Sequence, residues 1–146
     1  MSSSKKIRVI SLGLIINGDR TLLGEGYDSV KQDKYYRALG GGVDFGETSL
    51  DALKREFQEE TKAKLTNIKY LGCLENIFIC NGKPGHEIIQ LYQCDFADSK
   101  FYQLDSIEVI EGKRKKEAVW IDIEQCKSGE IKVVPEQFLD YLELAE

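Results

Sequence analysis

A run of glycines that leads directly into an acidic segment places the strongest constraint on the fold of this chain. Residues 40–63 have the sequence GGGVDFGETSLDALKREFQEETKA. Successive glycines allow backbone conformations that other residues avoid, and with Asp44 and Gly46 they predict a turn whose backbone can approach a ligand closely. Thr48 and Asp51 have the spacing of a capping box, so a helix is predicted to begin after Thr48. A glycine turn that opens a helix is an arrangement suited to anionic groups.

Three glutamates share one side of the predicted helix. Glu56, Glu59 and Glu60 are spaced i, i+3 and i+4, so at roughly 100° of rotation per residue they span an arc of about 100°. The neighbouring apolar stripe consists of Leu50, Leu53 and Phe57. Like charges at this spacing destabilise a helix by about 0.2–0.5 kcal/mol per pair, so the cluster requires a compensating cation. Hard divalent ions take oxygen ligands of this kind together with substrate phosphates, which predicts a metal site. An ordinary solvated helix face is the alternative, and the preceding glycine turn favours the metal site.

The same segment resembles the signature of the Nudix hydrolases. That signature is a glycine, five residues, Glu and seven residues, followed by Arg-Glu-hydrophobic-x-Glu-Glu-x-Gly-hydrophobic. Gly41, Glu47 and Arg55 occupy the corresponding positions, and residues 56–60 follow in register. Lys62 departs from the pattern, because the family has there a glycine that ends the helix in a left-handed conformation. Ala63 then supplies the small apolar residue, so the match covers residues 41–63.

The resemblance implies an α+β protein with the Nudix fold, a mixed β-sheet sandwiched between α-helices, in a single domain over residues 1–146. It also implies a pyrophosphohydrolase that depends on Mg2+ or Mn2+. Such an enzyme cleaves a phosphoanhydride bond in a nucleoside diphosphate linked to another moiety, by attack of water on phosphorus. A nucleoside triphosphate and a nucleotide sugar both remain open as the substrate.

The resemblance also implies roles for particular residues. The implied metal ligands are Glu56, Glu59, Glu60, the backbone carbonyl of Gly40 and, as an outer ligand, Glu47. Arg55 matches the residue that orients the helix carboxylates, with a structural ion pair as an equal alternative. Family members place the general base either on the signature helix or on a downstream loop. The candidates are therefore Glu59, Glu60, Glu108 and Glu111, while Glu117 is expected at the start of the last strand.

A second hypothesis of a different class is a catalytically silent Nudix-like module that binds nucleotides or regulates. Lys62 alone motivates it, because a residue other than glycine adopts the left-handed conformation at a cost of about 1 kcal/mol or more, although the substitution removes no carboxylate. Glutamates occupy all four acidic positions of the signature, and this favours the enzyme. Lys31, Lys34 and Arg37 precede the glycines and either meet substrate phosphates or are simply solvated.

Charge and cysteine usage restrict the partners and the compartment. A net charge of -5 argues against binding to nucleic-acid polymers, and a small nucleotide is the expected partner. No apolar run approaches the roughly 20 residues that span a bilayer, and residues 1–6 lack the apolar part of a signal peptide. We therefore expect a cytoplasmic protein that does not insert into membranes, with a homodimer left open. Cys73, Cys80, Cys94 and Cys126 show no paired spacing and are expected to be free, buried or half-buried thiols.

The remaining elements follow from periodicity and turn residues. Asn17 and Gly18 predict a hairpin between strands 7–16 and 20–27, and residues 35–39 predict a short strand before the glycines. A second hairpin joins strand 65–80, bent at Gly72, to strand 87–96. Residues 98–116 are expected to be irregular, and 118–123 to form the last strand. Pro135 predicts the first turn of a final helix whose inward residues are Phe138, Leu142 and Ala145.

Overall fold

The structure is a computed structural model that describes residues 5–144. Its elements, in chain order, are β1 (Ile7–Leu14), β2 (Ile16–Asn17), β3 (Arg20–Asp28), β4 (Asp33–Arg37), β5 (Leu39–Gly42), α1 (Ser49–Thr61), β6 (Leu65–Cys80), β7 (Lys83–Phe96), a short 3-10 helix (Ser99–Gln103), β8 (Ser106–Glu111), β9 (Arg114–Asp122), α2 (Ile123–Ser128) and α3 (Phe138–Leu144). Ala145, expected in the last helix, lies outside the described residues.

The strands form two sheets, which confirms the predicted α+β class with a mixed sheet. One sheet has the order β5-β1-β7-β6, in which β1 runs parallel to β7 and the other pairs are antiparallel. The other has the antiparallel order β2-β3-β9-β8, with β4 added to β3. One hydrophobic core joins β1 and β7 to α2 and α3, and a second core packs Leu53 and Phe57 of α1 against residues such as Phe96 and Trp120. The signature helix is therefore anchored to the body of the fold by its own apolar side.

The first predicted hairpin forms only at its tip. Ile16 and Asn17 pair with Thr21 and Arg20, as the Asn-Gly turn requires. The prediction of one continuous strand over residues 7–16 was wrong, because β1 ends at Leu14 and pairs with β5 and β7 instead. The parallel partner β7 lies far away in sequence, so hydrophobic periodicity alone could not identify it.

The three glycines extend strand β5, whereas the sequence predicted that they would form a turn. Gly40 and Gly41 pair with Leu12 and Ser11 of β1. A Cβ atom on Gly40 would lie 1.9 Å from the carbonyl oxygen of Ser11, and one on Gly41 would lie 2.4 Å from Cδ of Glu56. Gly40 is therefore needed because the backbone of β1 approaches it closely, whereas Gly41 leaves space for the carboxylate of Glu56. The turn itself follows the strand, where the amide of Glu47 donates to the carbonyl of Asp44 at 3.0 Å.

The second hairpin is confirmed, with a tighter turn than expected. Strands β6 and β7 are joined by Asn81 and Gly82 alone, so Pro84 and Gly85 already lie in β7. The register shifts between Tyr70 and Gly72, which agrees with the predicted bend.

The expectation of an irregular segment over residues 98–116 was wrong. It contains the 3-10 helix and strand β8, and β9 begins at Arg114, four residues before the predicted strand. In β8, Ile107 and Val109 are buried while Glu108 is exposed, so the alternation of a half-buried strand was present in the sequence. Helix α2 was also missed. In the last helix, Phe138 and Leu142 are buried as predicted, although α3 begins at Phe138.

The cysteines and the surface bear on two further expectations. Within the described residues all four cysteines are free, and Cys94 and Cys126 are buried as expected. Cys73 is exposed, which corrects its expected burial. None of the helices described in residues 5–144 is long and apolar enough to cross a membrane.

Candidate active site

Helix α1 begins after Thr48 as predicted, and Lys62, whose effect the sequence left open, does not alter the geometry of its end. The hydroxyl of Thr48 accepts a hydrogen bond from the amide of Asp51 at 3.1 Å, which caps the first turn. At the other end Lys62 has φ 61° and ψ 24°, the left-handed conformation that the family glycine would adopt, and its N–H donates to the carbonyl of Gln58. Leu53 is fully buried, whereas Leu50 is 37% exposed and does not belong to the predicted apolar stripe. The helix end that precedes Lys62 therefore keeps its regular geometry.

Arg55 connects the helix carboxylates to the turn before them. Its Nε donates to Glu47 Oε2 at 2.7 Å, and its Nη1 lies 3.0 Å from Glu56 Oε2 and 3.3 Å from Glu59 Oε1. Its Nη2 donates to the carbonyl of Gly42 at 2.9 Å. Arg55 thus forms the structural ion pairs that were one alternative for its role. The same bonds orient the carboxylates of Glu47, Glu56 and Glu59, which was the other alternative. The hydrogen bonds that Glu47 accepts from Arg55, together with one from the amide of Asp44, lower the pKa of Glu47 to about 2.

Glu60 is the carboxylate without a partner. Its residue is 6% exposed, and among residues 5–144 it makes no hydrogen bond or ion pair. Burial raises the pKa of Glu60 to about 8, and the nearby charges of Glu56 and Glu111 add to that rise. Burying an unpaired charge is costly, so this position either holds a proton or receives a cation.

Two adjoining cavities surround these side chains. The first, named here the carboxylate cavity, lies between β5, α1 and the end of β8, and its lining includes Arg8, Gly41, Glu56, Glu59, Glu60 and Glu111. The second, named here the inter-sheet cavity, has a volume of about 200 Å³, and its lining includes Leu12, Tyr35, Arg37, Glu87, Val109 and Lys116. The cavities share Arg8, Gly40, Gly41, Glu60 and Glu111.

The structure separates the predicted site residues into two groups. Those that line the carboxylate cavity are Gly40, Glu56, Glu59, Glu60 and Glu111. Glu47 does not line it, because both of its carboxylate oxygens bind Arg55.

The downstream acids also differ in where they lie. Glu111 ends β8 beside the site, where Lys116 Nζ lies 2.8 Å from its Oε1. Glu108 is exposed and lines neither cavity, so its position gives no support to a role as general base. Glu117 lies within β9 rather than at its start, and its carboxylate accepts a hydrogen bond from Ser106 on the exposed side.

The carboxylates that line the carboxylate cavity suit a hard divalent cation, although in the described residues they do not converge on one point. In the part of the chain that the structure describes, no three acidic, histidine or cysteine side chains lie close enough together to hold a metal ion. Glu56 and Glu59 are bound to Arg55 instead. The acids that line the cavity nevertheless offer only oxygen ligands, and one of them, the buried residue Glu60, has no ion-pair partner among residues 5–144. That donor set suits Mg2+ or Mn2+ better than softer metals.

The cations that the sequence suggested for phosphates are engaged elsewhere. Lys31 donates to the carbonyl of Ile79, and Lys34 pairs with Glu25. Arg37 forms an ion pair with the buried Glu87 on the wall of the inter-sheet cavity. Arg8 was not among the residues predicted from the sequence. Its spacing of two and four residues from Ile10 and Leu12 places it on the same side of β1 as these core residues, and this pattern could have identified it.

Comparison with known proteins identifies the family and the fold. The family model for the NUDIX domain matches residues 6–142. A MutT NUDIX hydrolase from Burkholderia pseudomallei superposes with a TM-score of 0.62 at 23% identity, over 82% of this chain and 86% of that one. The E. coli ORF135 protein gives a TM-score of 0.57 at 20% identity, over 95% and 88% of the two chains. A MutT protein from Bacillus halodurans gives 0.62 at 16% identity, over 90% and 77%. These likenesses confirm the fold that the signature segment implied.

Proposed function

Because this chain belongs to the NUDIX domain family and is a Nudix hydrolase, we propose that it is a metal-dependent pyrophosphohydrolase acting on small nucleotides. The bond cleaved is a phosphoanhydride in a nucleoside diphosphate linked to another moiety, either a nucleoside triphosphate or a nucleotide sugar. One observation carries the proposal. The buried, unpartnered carboxylate of Glu60 lies beside Glu56 and Glu111 in an accessible cavity, where a cation would remove the cost of its charge.

The proposed metal ligands are the carboxylates of Glu56, Glu59 and Glu60 and the carbonyl of Gly40, with Glu47 as an outer ligand. Bound Mg2+ or Mn2+ would neutralise phosphate charge and lower the pKa of a coordinated water. Glu60 offers an acceptor with no competing donor, and Gly41 leaves room for Glu56 beside the strand. The Glu59 side chain is 59% exposed, so it can exchange Arg55 for a cation with little rearrangement.

Arg55 acts as a positioning residue in this proposal. Its guanidinium binds both oxygens of Glu47 and the carbonyl of Gly42, which ties the turn to the helix. Both oxygens of Glu47 accept hydrogen bonds from Arg55 and Glu47 does not line the carboxylate cavity, so this link can persist while Glu56 and Glu59 bind other partners. The carboxylates are thereby presented toward the cavity on a rigid element.

The general base is proposed to be one of the acids that line the carboxylate cavity. Glu59, Glu60 and Glu111 meet that condition. A base must reach the attacking water within hydrogen-bonding distance, and all three face the space where the diphosphate would lie. The ion pair with Lys116 orients the carboxylate of Glu111 at the edge of this cavity.

The inter-sheet cavity supports an organic group on the substrate. Leu12 and Val109 give it apolar walls, while Tyr35 and the Arg37–Glu87 pair add polar and aromatic groups. Ligand pockets commonly combine apolar walls with a few placed polar groups. Because this cavity adjoins the carboxylate cavity, a nucleoside can occupy one while its diphosphate occupies the other.

The alternative of a catalytically silent module no longer has support from Lys62, the residue that motivated it. Lys62 adopts the left-handed conformation and keeps the terminal hydrogen bond of the helix, so the substitution leaves the helix end in place. No other residue of the signature argues for loss of turnover.

The cellular setting remains part of the proposal. We propose a single domain over residues 1–146 and a cytoplasmic location. The four free cysteines support the location, since thiols persist in reducing compartments. The acidic net charge supports a small nucleotide over a nucleic-acid polymer as the partner. A homodimer stays a prediction.

A nucleotide screen with Mg2+ or Mn2+ tests the function. Nucleoside triphosphates and nucleotide sugars are incubated with the wild type and with Glu59→Gln and Glu60→Gln, and released phosphate products are measured. We expect turnover that falls about 100-fold or more in both variants, on the scale of lost catalytic groups. Glu124→Gln removes an exposed acid on α2 and serves as the control with unchanged rate. Absence of turnover by the wild type across the panel would refute the proposed activity.

A further inference from the structure

Arg8 lies on the inward side of strand β1. The alternating residues Ile10 and Leu12 are each 3% exposed and face the core, whereas Ile7 and Val9 are exposed on the opposite side. Arg8 has the same parity as Ile10 and Leu12 and lines a cavity with them, although it is itself exposed at the open end of the strand. Its Nη2 lies 3.3 Å from where a Cβ atom on Gly42 would stand. The guanidinium is thus held beside strand β5, next to the glycine on which Glu56 packs.

Unlike the other basic groups at this site, Arg8 has no anionic partner. Arg37 pairs with Glu87, Arg55 with Glu47, and Lys116 with Glu111. Among residues 5–144, Arg8 makes no hydrogen bond and no ion pair, although acids line the cavity around it. Glu87 lies opposite Arg8 in the register of β1 and β7, yet its carboxylate binds Arg37 and Asn76 instead. Arg8 is therefore left available for a ligand.

The position of Arg8 relative to the two cavities specifies that ligand. Within the described residues, Arg8 is the only cationic side chain that lines both the carboxylate cavity and the inter-sheet cavity. A substrate that occupies both must pass it. If the diphosphate lies among the carboxylates and the organic group lies between the sheets, the group that passes Arg8 is the phosphate that joins them.

We propose that Arg8 binds the ester-linked phosphate of the substrate, the one that carries the organic group. This inference rests on the proposed function and adds a substrate-binding residue outside the signature segment. Arginine suits this role because its planar guanidinium donates two parallel hydrogen bonds to a phosphate and remains charged at any working pH. Lysine supplies the charge without the paired geometry.

The kinetics of three variants test the assignment, with the nucleotide that the wild type hydrolyses fastest. Charged hydrogen bonds of this kind correspond to a change of about tenfold or more in binding, so Arg8→Ala should raise KM by about that factor. We expect Arg8→Lys to recover part of the loss, and the KM of Arg8→Ala to depend less on salt than that of the wild type. Lys6→Ala removes the same charge two residues earlier, from an exposed residue outside both cavities, and should leave KM unchanged.

Two further outcomes separate this inference from its premise. Mn2+ affinity, measured by calorimetry without nucleotide, should change by less than about threefold in Arg8→Ala, because among residues 5–144 Arg8 makes no hydrogen bond or ion pair with any proposed metal ligand. A larger loss of Mn2+ affinity would show that the carboxylates were disturbed and would overturn the assignment. If the wild type is active and Arg8→Ala has the same KM, the role of Arg8 is overturned while the proposed function stands. A wild type without turnover overturns the proposed function itself.

Discussion

Replacing Lys62 by glycine should stabilise the protein by relieving strain at the end of helix α1. Lys62 has φ 61°, and a residue with a Cβ atom pays about 1–2 kcal/mol for this left-handed conformation. Glycine avoids that cost but loses about 0.5–1 kcal/mol through the greater freedom of the unfolded chain. The Lys62 side chain is exposed and makes no hydrogen bond or ion pair among residues 5–144, so its removal should cost nothing further. The expected net gain is about 0.5–1 kcal/mol.

Urea denaturation in the presence of EDTA measures this gain without a contribution from bound metal. For a chain of this length the gain corresponds to an increase in Tm of about 1–4 °C. Activity should be unchanged, because the cap hydrogen bond to Gln58 belongs to the backbone and survives the substitution.

Two control variants isolate the conformational origin of the effect. Lys62→Ala keeps the strained conformation and should leave stability near that of the wild type. Lys54→Gly places glycine at an exposed position inside the same helix and should cost about 1 kcal/mol. If Lys62→Gly proves no more stable than the wild type, or if Lys62→Ala gains as much as Lys62→Gly, strain at this residue is not the explanation.

Three further perturbations test the site. Gly41→Ala would bring a Cβ atom to 2.4 Å from Cδ of Glu56, at the flexible end of that side chain, so the carboxylate should move aside with little loss of stability. Mn2+ binding measured by calorimetry should weaken, and unchanged affinity would contradict the close packing. In metal-free protein, burial raises the folded pKa of Glu60 to about 8, above its ordinary value of 4.5. Its contribution to stability is therefore complete below pH 4.5 and is lost as the pH rises through 8, so the advantage of Glu60→Gln in urea should grow between pH 6 and 9. A constant difference across that range would argue against a buried, unpaired acid. Arg55→Lys keeps the charge but cannot bind both oxygens of Glu47 in parallel, so kcat should fall about tenfold or more with little change in KM; wild-type kcat would remove the positioning role.

Local features of the site were predictable because short-range physics decides them. The spacing of Glu56, Glu59 and Glu60 fixes which side of the helix they occupy, whatever the rest of the chain does. Thr48 caps the helix through a hydrogen bond to the amide of Asp51, three residues away, and Lys62 ends it through its own backbone conformation. Each of these interactions spans a single helical turn, so the sequence pattern contained them.

The glycines show where local reasoning stops. Their sequence allows a turn or an extended strand equally well, and the choice depends on whether another strand is available to pair. Strand β1 provides that partner for Gly40 and Gly41, at a distance that excludes a Cβ atom from Gly40. The pairing of β1 with β7 joins residues 79 positions apart in sequence, from Ile7 with His86 to Leu14 with Gln93, and likewise depends on the whole chain.

Residue identity and spacing were enough to assign the family, the acidic face of one helix and the chemistry of its metal ligands. Which carboxylate is buried without a partner, which downstream acid reaches the site and which cations are already paired depend instead on how the chain packs. Glu60, Glu111 and Arg8 owe those properties to neighbours from distant strands. Burial and pairing belong to the environment that the fold assembles around a side chain, and a linear pattern of residues does not specify that environment.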